Sequence, residues 1–208
     1  MKSMKSYLER ENKCSMSYVL PNNVPKRDGQ YLYRVSTRVL QWIGWRIEGQ
    51  LPDRSQFIIA VAPHTSNWDF FLGLLVMFRL QLKVKFLGKH SIFVWPVKGL
   101  LTRIGGIPVE RSHRHGVVGQ MVEYFERKQP LVLALAPEGT RSKVHKWKTG
   151  FLQIAYQAKV PVVPIAFDFN KKAIIIMDPV TVGEDIEQAR SDFQQLFRDV
   201  CAKNPHLA

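Results

Sequence analysis

The residues best suited to chemistry in this sequence are a histidine and an aspartate five positions apart, His64 and Asp69. They follow an apolar run at 57–61 that is typical of a buried strand. They precede a second apolar run, at 70–78, that is long enough for a buried helix. An imidazole titrates near neutral pH and can take a proton from a hydroxyl, while a nearby carboxylate can hold its other ring nitrogen protonated. The pair therefore predicts a general base and its orienting acid at a strand end, where open α/β sheets bind their ligands.

A structural interpretation of the same residues also stands. Ser66 followed three positions later by Asp69 fits a capping box, in which both side chains satisfy free N–H groups at a helix N-terminus. His64 alone would then be a histidine satisfied within the core. These five positions do not decide between the two interpretations.

A second polar cluster follows another predicted buried strand, at 131–136, and reads Pro-Glu-Gly-Thr-Arg over 137–141. Arg141 offers a planar fork that suits a phosphate, and Thr140 and the Gly139 main chain can donate further hydrogen bonds. Glu138 can hold the arginine in place. The alternative is a polar turn with a local ion pair. Arg111, after a short extended segment, is a second candidate for phosphate binding.

Four motifs occur in order along the chain. In this combination the sequence resembles the glycerolipid acyltransferases, the 1-acyl-glycerol-3-phosphate acyltransferases and their relatives, over roughly residues 55–170. The motifs are His64-x4-Asp69, the stretch from Lys89 through Pro96 and Gly106 to Arg111, Glu138-Gly139-Thr140-Arg141, and Val160-Pro161-Val162-Val163-Pro164.

This resemblance implies an α/β enzyme in which His64 deprotonates the acceptor hydroxyl and Asp69 orients the histidine. It implies that the acceptor phosphate is bound by the second and third motifs, and that Pro161 and Pro164 help to shape the acyl region. The substrate-binding residues so implied are Lys89, Arg111, Glu138, Gly139, Thr140 and Arg141. The acyl donor would be acyl-CoA or acyl-carrier protein, with no bound cofactor and no metal.

The residues themselves argue against a covalent acyl-enzyme, because the sequence has no Gly-x-Ser-x-Gly elbow and neither Cys14 nor Cys201 lies near a motif. Two cysteines outside any Cys-x-x-Cys pattern also argue against a disulfide framework or a zinc ribbon. The run His113-Arg114-His115 could bind a metal in isolation, but a solvated basic turn is the favoured interpretation. A hydrolase that uses His64 and Asp69 to activate water remains an alternative to a transferase.

The formal net charge of +13 predicts anionic partners. Bilayer headgroups, the nucleotide of CoA and an acidic carrier protein all fit. A nucleic-acid-binding module is the rival from another class, but it predicts aromatic residues interleaved with basic ones in a recognised motif, and none is present. No nucleic acid is therefore expected as a partner.

Strands and helices alternate along the chain, which predicts a single α/β domain with a mostly parallel central sheet flanked by helices. The expected elements include a strand at 162–167 and helices from Lys89 to Arg103 and from Ile186 to Ala202. An N-terminal amphipathic helical segment precedes it. The expected organisation is a loose leader at 1–29, an interfacial helix at 30–50 and an acyltransferase domain at 51–208.

The segment 31–47 has helical periodicity, with Leu32, Val35 and Trp42 on an apolar face that continues to Ile47. Arg34, Arg38 and Gln41 lie on another face. Such a helix can lie in a membrane interface or pack on its own domain, and the sequence leaves both open. No run is apolar enough for a signal peptide or a spanning helix, so we expect a cytoplasmic enzyme associated with the membrane surface.

Overall fold

A seven-stranded sheet organises the residues that the computed structural model describes, which are 18–109, 114–140, 143–144 and 146–205. Its order is β1-β7-β6-β2-β5-β3-β4, and every neighbouring pair is parallel except β6 and β7. The predicted α/β class with a mostly parallel sheet is confirmed. The strands are β1 Arg46–Glu48, β2 Gln56–Ala62, β3 Val84–Lys89, β4 Gly106–Val109, β5 Leu131–Leu135, β6 Val162–Asp168 and β7 Ala173–Ile176.

Helices cover both faces of this sheet, and the alternation of β2 shows why. Phe57 and Ile59 point into one hydrophobic cluster, whereas Ile58 and Ala60 point into the other. A strand that is apolar at every position needs both faces covered. Helices α1, α2 and α3 pack on the first face and α4, α5 and α6 on the second. The helices are α1 Gln30–Trp42, α2 Asn67–Arg79, α3 Val97–Ile104, α4 Arg114–Glu126, α5 Gly150–Ala158 and α6 Ile186–Gln195.

The parallel pairing brings the C-terminal ends of five strands to one edge of the sheet, which we call the carboxyl edge. Strands β2, β3, β4, β5 and β6 all run in the same direction. The loops that follow these strands therefore emerge side by side, although they lie far apart in the sequence.

The predicted helix at 31–47 is shorter than expected and is followed by a strand. Helix α1 ends at Trp42, and Gly44 adopts the left-handed backbone conformation that commonly ends helices, with φ of +75°. Ile47 lies in β1, where it pairs with Ile174 of β7. The helical interpretation failed there because a three-residue strand is too short for its period to be recognised.

Two other predicted helices also have different bounds. The segment predicted to be helical from Lys89 to Arg103 continues β3 through Lys89, forms a 3₁₀ turn at His90–Ile92 and becomes α-helical only after Pro96. The C-terminal helix, predicted to reach Ala202, ends at Gln195.

Residues 18–29, predicted as part of a loose leader, pack on the domain. Leu20 and Val24 are buried in the cluster beneath α1 and α2, and Lys26 forms a β-bridge with Leu82. Residues 1–17, including Cys14, lie outside the described part of the chain. Among the described residues, no helix combines the length and hydropathy that a membrane span requires.

Candidate active site

The loop between β2 and α2 carries His64 and Asp69 at the carboxyl edge. Helix α2 begins at Asn67, with Ser66 as its N-cap in an extended conformation. The Ser66 side chain accepts a hydrogen bond from the Trp68 N–H (3.1 Å), and Asp69 completes a capping box. The predicted structural interpretation of Ser66 and Asp69 is therefore correct.

The carboxylate that closes the capping box also faces the histidine. Asp69 is buried, and its Oδ2 accepts hydrogen bonds from the main-chain N–H groups of Thr65 (2.8 Å) and Ser66 (2.7 Å). The same Oδ2 lies 3.5 Å from Nδ1 of His64. One oxygen thus caps the helix and faces the imidazole, so the capping role is compatible with the predicted role of Asp69 as an orienting acid, which stays a prediction.

His64 is the more accessible member of this pair, since 21% of its side chain is exposed whereas the Asp69 side chain is fully buried. A separation of 3.5 Å is long for a hydrogen bond, but catalytic hydrogen bonds are often long before substrate binds. The carboxylate is held by two N–H groups, so it is the fixed partner of the pair. Because Nδ1 faces Asp69, Nε2 is the ring nitrogen turned away from it.

Glu138 connects a second loop to the histidine. It lies in the turn after β5, the strand that pairs with β2, and its buried carboxylate accepts the His64 main-chain N–H at 2.9 Å (Oε2) and 3.2 Å (Oε1). Burial raises the pKa of Glu138 to about 7, an effect that the hydrogen bond from His64 opposes and the nearby Asp69 charge reinforces. Although Glu138 is predicted to bind substrate, its carboxylate is directed at the main chain of His64.

The turn that contains Glu138 is closed by its own backbone. The Gly139 N–H donates to the Ala136 carbonyl (3.1 Å), and the Lys148 N–H donates to the Pro137 carbonyl (3.0 Å). Gly139 has φ of +67°, and a Cβ there would lie 2.9–3.0 Å from the Lys148 side chain. A larger residue here would strain the backbone and displace the end of the Lys148 side chain, which lies over Gly139.

Comparison with known proteins identifies the family to which this arrangement belongs. The family described as Acyltransferase matches residues 45–168, which is more than half of the chain. The chain belongs to the acyltransferase family. The predicted resemblance and the predicted enzyme class are thereby confirmed.

Three relatives of this acyltransferase are named 1-acyl-sn-glycerol-3-phosphate acyltransferase. The Haemophilus influenzae protein is 24% identical over 80% of this chain and 77% of its own length. The Escherichia coli protein is 26% identical over 66% of this chain and 58% of its own, and that of Cocos nucifera 30% identical over 67% and 47%. The chain thus spans only about half the length of the last two.

A solved structure supports the fold of the acyltransferase. The 1-acyl-sn-glycerophosphate (LPA) acyltransferase of Thermotoga maritima superimposes with a TM-score of 0.56 at 19% identity. The match covers 79% of this chain and 74% of that one.

The predicted phosphate-binding residues of the acyltransferase differ in whether they belong to the described part of the chain. Arg111 and Arg141 lie outside the described residues, as does His113. Lys89 is the last residue of β3, which places its backbone at the carboxyl edge. Thr140 follows Gly139 in the same turn, and the phosphate-binding role of this group stays a prediction. Within the described part of the chain, no cluster of three or more His, Cys, Asp or Glu could hold a metal ion.

The fourth predicted motif lies away from the histidine. Pro161 immediately precedes β6 and accepts a main-chain hydrogen bond from Ile58 near the start of β2. Ile58 is four residues before Ala62, where β2 ends, so at ~3.3 Å of rise per residue the carboxyl edge is about 13 Å away along the strand. Pro164 is buried in the middle of β6. These positions fit packing of the sheet better than contact with a substrate at His64.

Two residues that the sequence did not single out lie close to the predicted site. Lys148 covers Gly139 and belongs to a basic run at 141–148. Asn204, near the end of the chain, forms two hydrogen bonds with Thr65. A sequence signal existed for the lysine but not for the asparagine, because it lies 139 positions from its partner.

Proposed function

We propose that this acyltransferase moves a fatty acyl group from acyl-CoA or acyl-carrier protein to a hydroxyl of a lysophospholipid-like acceptor derived from glycerol 3-phosphate. The observation that carries the proposal is the partly exposed His64 with Nδ1 3.5 Å from the buried Asp69 carboxylate. A histidine so oriented suits proton abstraction from a hydroxyl. The names of the relatives supply the class of acceptor.

In this mechanism Nε2 of His64 takes the proton of the acceptor hydroxyl as its oxygen attacks the thioester carbonyl carbon. The new C–O bond sends the carbonyl π electrons onto oxygen, and their return breaks the C–S bond. The imidazolium then passes its proton to the departing thiolate, giving an ester and a free thiol. Asp69 stabilises the imidazolium while the intermediate exists, and no bond forms between the acyl group and the protein.

The acceptor phosphate is bound, on this proposal, by cationic and main-chain groups at the carboxyl edge. Strands β3 and β4 end at this edge, as does β5 before the turn of Gly139, so the residues that follow them can converge on one ligand. Glu138 serves in the proposal as the residue that holds the His64 main chain. The phosphate-binding set is Lys89, Arg111, Gly139, Thr140 and Arg141.

Substitution of the pair tests the proposal. A positioned general base contributes ~10²–10⁴-fold to rate, so we expect His64→Ala to lower kcat by at least that much, and Asp69→Asn by somewhat less. Ser66→Ala is the matched control, because it removes a capping hydrogen bond without touching the imidazole. It should lower stability by ~1 kcal/mol and leave kcat nearly unchanged. If His64→Ala kept a tenth of the wild-type kcat, His64 would not be the base.

Kinetics separates a transferase from a hydrolase built on the same pair. Direct transfer requires donor and acceptor together, so initial-rate plots at varied concentrations of both should intersect, and thiol release should depend on added acceptor. Release without acceptor would favour the hydrolase, and parallel lines with a trapped acyl-protein would reveal a nucleophile. The same assay with acyl-CoA and with acyl-carrier protein identifies the donor.

We further propose that the enzyme reaches its lipid acceptor from the bilayer surface, through the face covered by α1, α2 and α3. Most of the exposed large apolar side chains among the described residues lie there. Four are on α1, two are at the start of α2 and five lie between Ile92 and Leu100. The opposite face has three, one each on α4 and α5 and one directly after α6. The first group is Tyr31, Leu32, Val35, Trp42, Trp68, Phe71, Ile92, Val94, Trp95, Val97 and Leu100, and the second is Tyr124, Tyr156 and Leu196.

Charge beside these side chains fits an anionic bilayer. Arg34 and Arg38 flank the exposed stripe of α1, and Lys98 and Arg103 are exposed on α3. Each basic residue near such a surface contributes about 1 kcal/mol, and each buried aromatic or aliphatic side chain ~1.5–3 kcal/mol. These sums are upper limits, because binding costs orientational freedom.

Co-sedimentation with vesicles tests this surface. We expect binding to anionic vesicles that weakens with salt and falls when Tyr31 and Trp42 are both changed to Ser. Tyr124→Ser with Tyr156→Ser, on the opposite face, is the matched control. Equal binding of the two double variants would show that the exposed stripe of α1 makes no contact with lipid.

A further inference from the structure

The C-terminal segment, residues 201–205, returns to the carboxyl edge and lies against the loop that carries His64. The Cys201 carbonyl accepts a hydrogen bond from the Phe169 N–H (2.9 Å), just past the end of β6, and Ala202 is buried. The Lys203 ammonium lies over the rings of Trp68 (5.8 Å) and Phe169 (5.5 Å). The segment is thus docked by contacts of the three residues that precede Asn204.

Asn204 contacts Thr65 through both its main chain and its side chain. Its N–H donates to Oγ1 of Thr65 (3.1 Å), and its Nδ2 donates to the Thr65 carbonyl (3.0 Å). Thr65 is buried and immediately follows His64, and its own N–H is bound by Asp69. The peptide group before Thr65 is therefore fixed by the local Asp69, and the one after it by a side chain from the distant C-terminal segment.

We propose that Asn204 is a positioning residue for the catalytic loop, which holds the Thr65 carbonyl so that the His64 imidazole stays against Asp69. Glu138 fixes the N-terminal side of His64, Asp69 fixes Thr65 N–H, and Asn204 fixes the carbonyl that follows. If the peptide group that contains the Thr65 carbonyl rotated, the backbone of His64 would shift relative to α2, and the imidazole would shift relative to Asp69. The inference rests on the proposed role of His64 as the base.

The sequence region that defines the family does not include this contact. The family match ends at residue 168, and Asn204 lies 36 positions beyond it. The interaction is therefore a feature of this chain that the shared motifs do not assign. It also gives the C-terminal segment a role in the reaction, since its asparagine acts through the loop rather than on the substrate.

Asn204→Ala should lower kcat while leaving KM and thermal stability nearly unchanged. A displacement of the order of 1 Å in a catalytic group can cost ~10²-fold in rate, so we expect kcat to fall by about 10- to 100-fold and KM to stay within about 2-fold. Asn204→Gln keeps an N–H donor on a longer stem and should recover part of the loss. Asn204→Asp replaces the donor with an acceptor facing a carbonyl and should recover none.

Two controls separate positioning from simple docking of the segment. Lys203→Ala removes the contact with the Trp68 and Phe169 rings but leaves the bonds to Thr65, and Arg198→Ala changes an exposed side chain nearby. Both should keep kcat within about 2-fold of wild type. If Lys203→Ala lowered kcat as much as Asn204→Ala, docking of the segment rather than the amide would be responsible.

The coupling between Asn204 and Asp69 in a double-mutant cycle distinguishes a positioning role of Asn204 from a purely structural one. If Asn204 acts through the His64–Asp69 contact, Asn204→Ala should cost much less in an Asp69→Asn background than in wild type. Hydrogen exchange of a peptide covering residues 63–68 should also be faster in Asn204→Ala than in Arg198→Ala. Full additivity with unchanged exchange would overturn the inference.

The outcomes for the inference and for the proposed function remain distinguishable. Loss of activity in His64→Ala with normal kcat in Asn204→Ala removes only the positioning role. Retained activity in His64→Ala removes the proposed base and, with it, the basis for the positioning role.

Discussion

The loop after β2 and the turn after β5 lie side by side at the carboxyl edge but are held in different ways. The turn after β5 is closed by its own backbone, through the Gly139 N–H and the Pro137 carbonyl. The loop after β2 is held by Asp69 of the capping box that follows it and by two side chains that are distant in sequence, Glu138 and Asn204. The difference shows that the loop carrying the histidine depends on the assembled fold, whereas its neighbour is largely a local structure.

The two loops also differ in the consequence of losing one side chain. Glu138 belongs to the turn after β5, but its carboxylate accepts a hydrogen bond from the loop after β2. Its removal should therefore destabilise the loop after β2 more than its own turn. Gly139 donates its N–H within the turn and lies against the Lys148 side chain. Substitutions at these adjacent positions therefore test the comparison directly.

Among the substitutions that test this comparison, the largest effect is expected from Glu138→Ala. It leaves the His64 N–H without its acceptor, which costs ~1–3 kcal/mol for a buried group. The loop that carries His64 can then move. We expect kcat to fall by about 10- to 100-fold, in proportion to a loop shift of the order of 1 Å. Glu138→Gln keeps an oxygen that can accept this N–H and should retain most of the activity. Equal losses in the two variants would mean that the negative charge, rather than the hydrogen bond, is what matters.

A smaller effect concerns the pH dependence of stability. The pKa of Glu138 is raised from 4.5 to about 7, so the folded state holds this proton more tightly than the unfolded state does. The contribution of the protonated Glu138 carboxyl to the free energy of unfolding is fully present below pH 4.5 and is lost as pH rises to about 7. Glu138→Gln removes this loss, so its stability relative to wild type should increase between pH 5 and pH 8, by at most about 3 kcal/mol. Chemical denaturation of both proteins at the two pH values measures the difference, and a constant difference would show that the pKa is not raised.

The smallest effect is expected from Gly139→Ala. A side chain at φ of +67° costs ~1–2 kcal/mol, and the new Cβ displaces the flexible end of Lys148. Stability should fall by about this amount, while kcat changes much less than in Glu138→Ala because the His64 N–H keeps its acceptor. Lys148→Ala combined with Gly139→Ala separates the two contributions, since it relieves the contact but not the backbone strain. If Gly139→Ala instead lowered kcat as much as Glu138→Ala, the turn would not be independent of the catalytic loop.

Much of the fold was predictable because its signals are local. The apolar runs and their periods gave β2, α2, β5 and β6 nearly to their bounds, and alternation of strands with helices gave a mostly parallel sheet. The errors arose where the apolar pattern was too short to identify or was compatible with two structures. The strand β1 is three residues long, and the apolar face of α1 was compatible with either solvent-facing or core-facing placement.

The placement of α1 shows how tertiary structure can override a periodic pattern. The core-facing residues of this helix include Ser36 and Leu40, while Trp42 and Tyr31 face outward. Arg79 of α2 lies over the Tyr33 ring at 5.1 Å, so the helix packs on α2 through a mixed face. Periodicity identifies the apolar stripe of a helix, but it does not tell which side of the helix will meet the domain.

The sequence by itself indicated a candidate general base with its orienting acid, and it determined the local frame that holds them. The capping box depends only on the conformation of the helix start, so Ser66 and Asp69 specify one another and place the Asp69 carboxylate beside the loop of His64. Tertiary structure alone decided that Glu138 and Asn204 meet this loop across 74 and 139 positions of sequence. The physical reason is that local hydrogen bonds form within a turn or a capped helix, whereas these partners meet only when the strand order and the path of the C-terminal segment bring them to one edge.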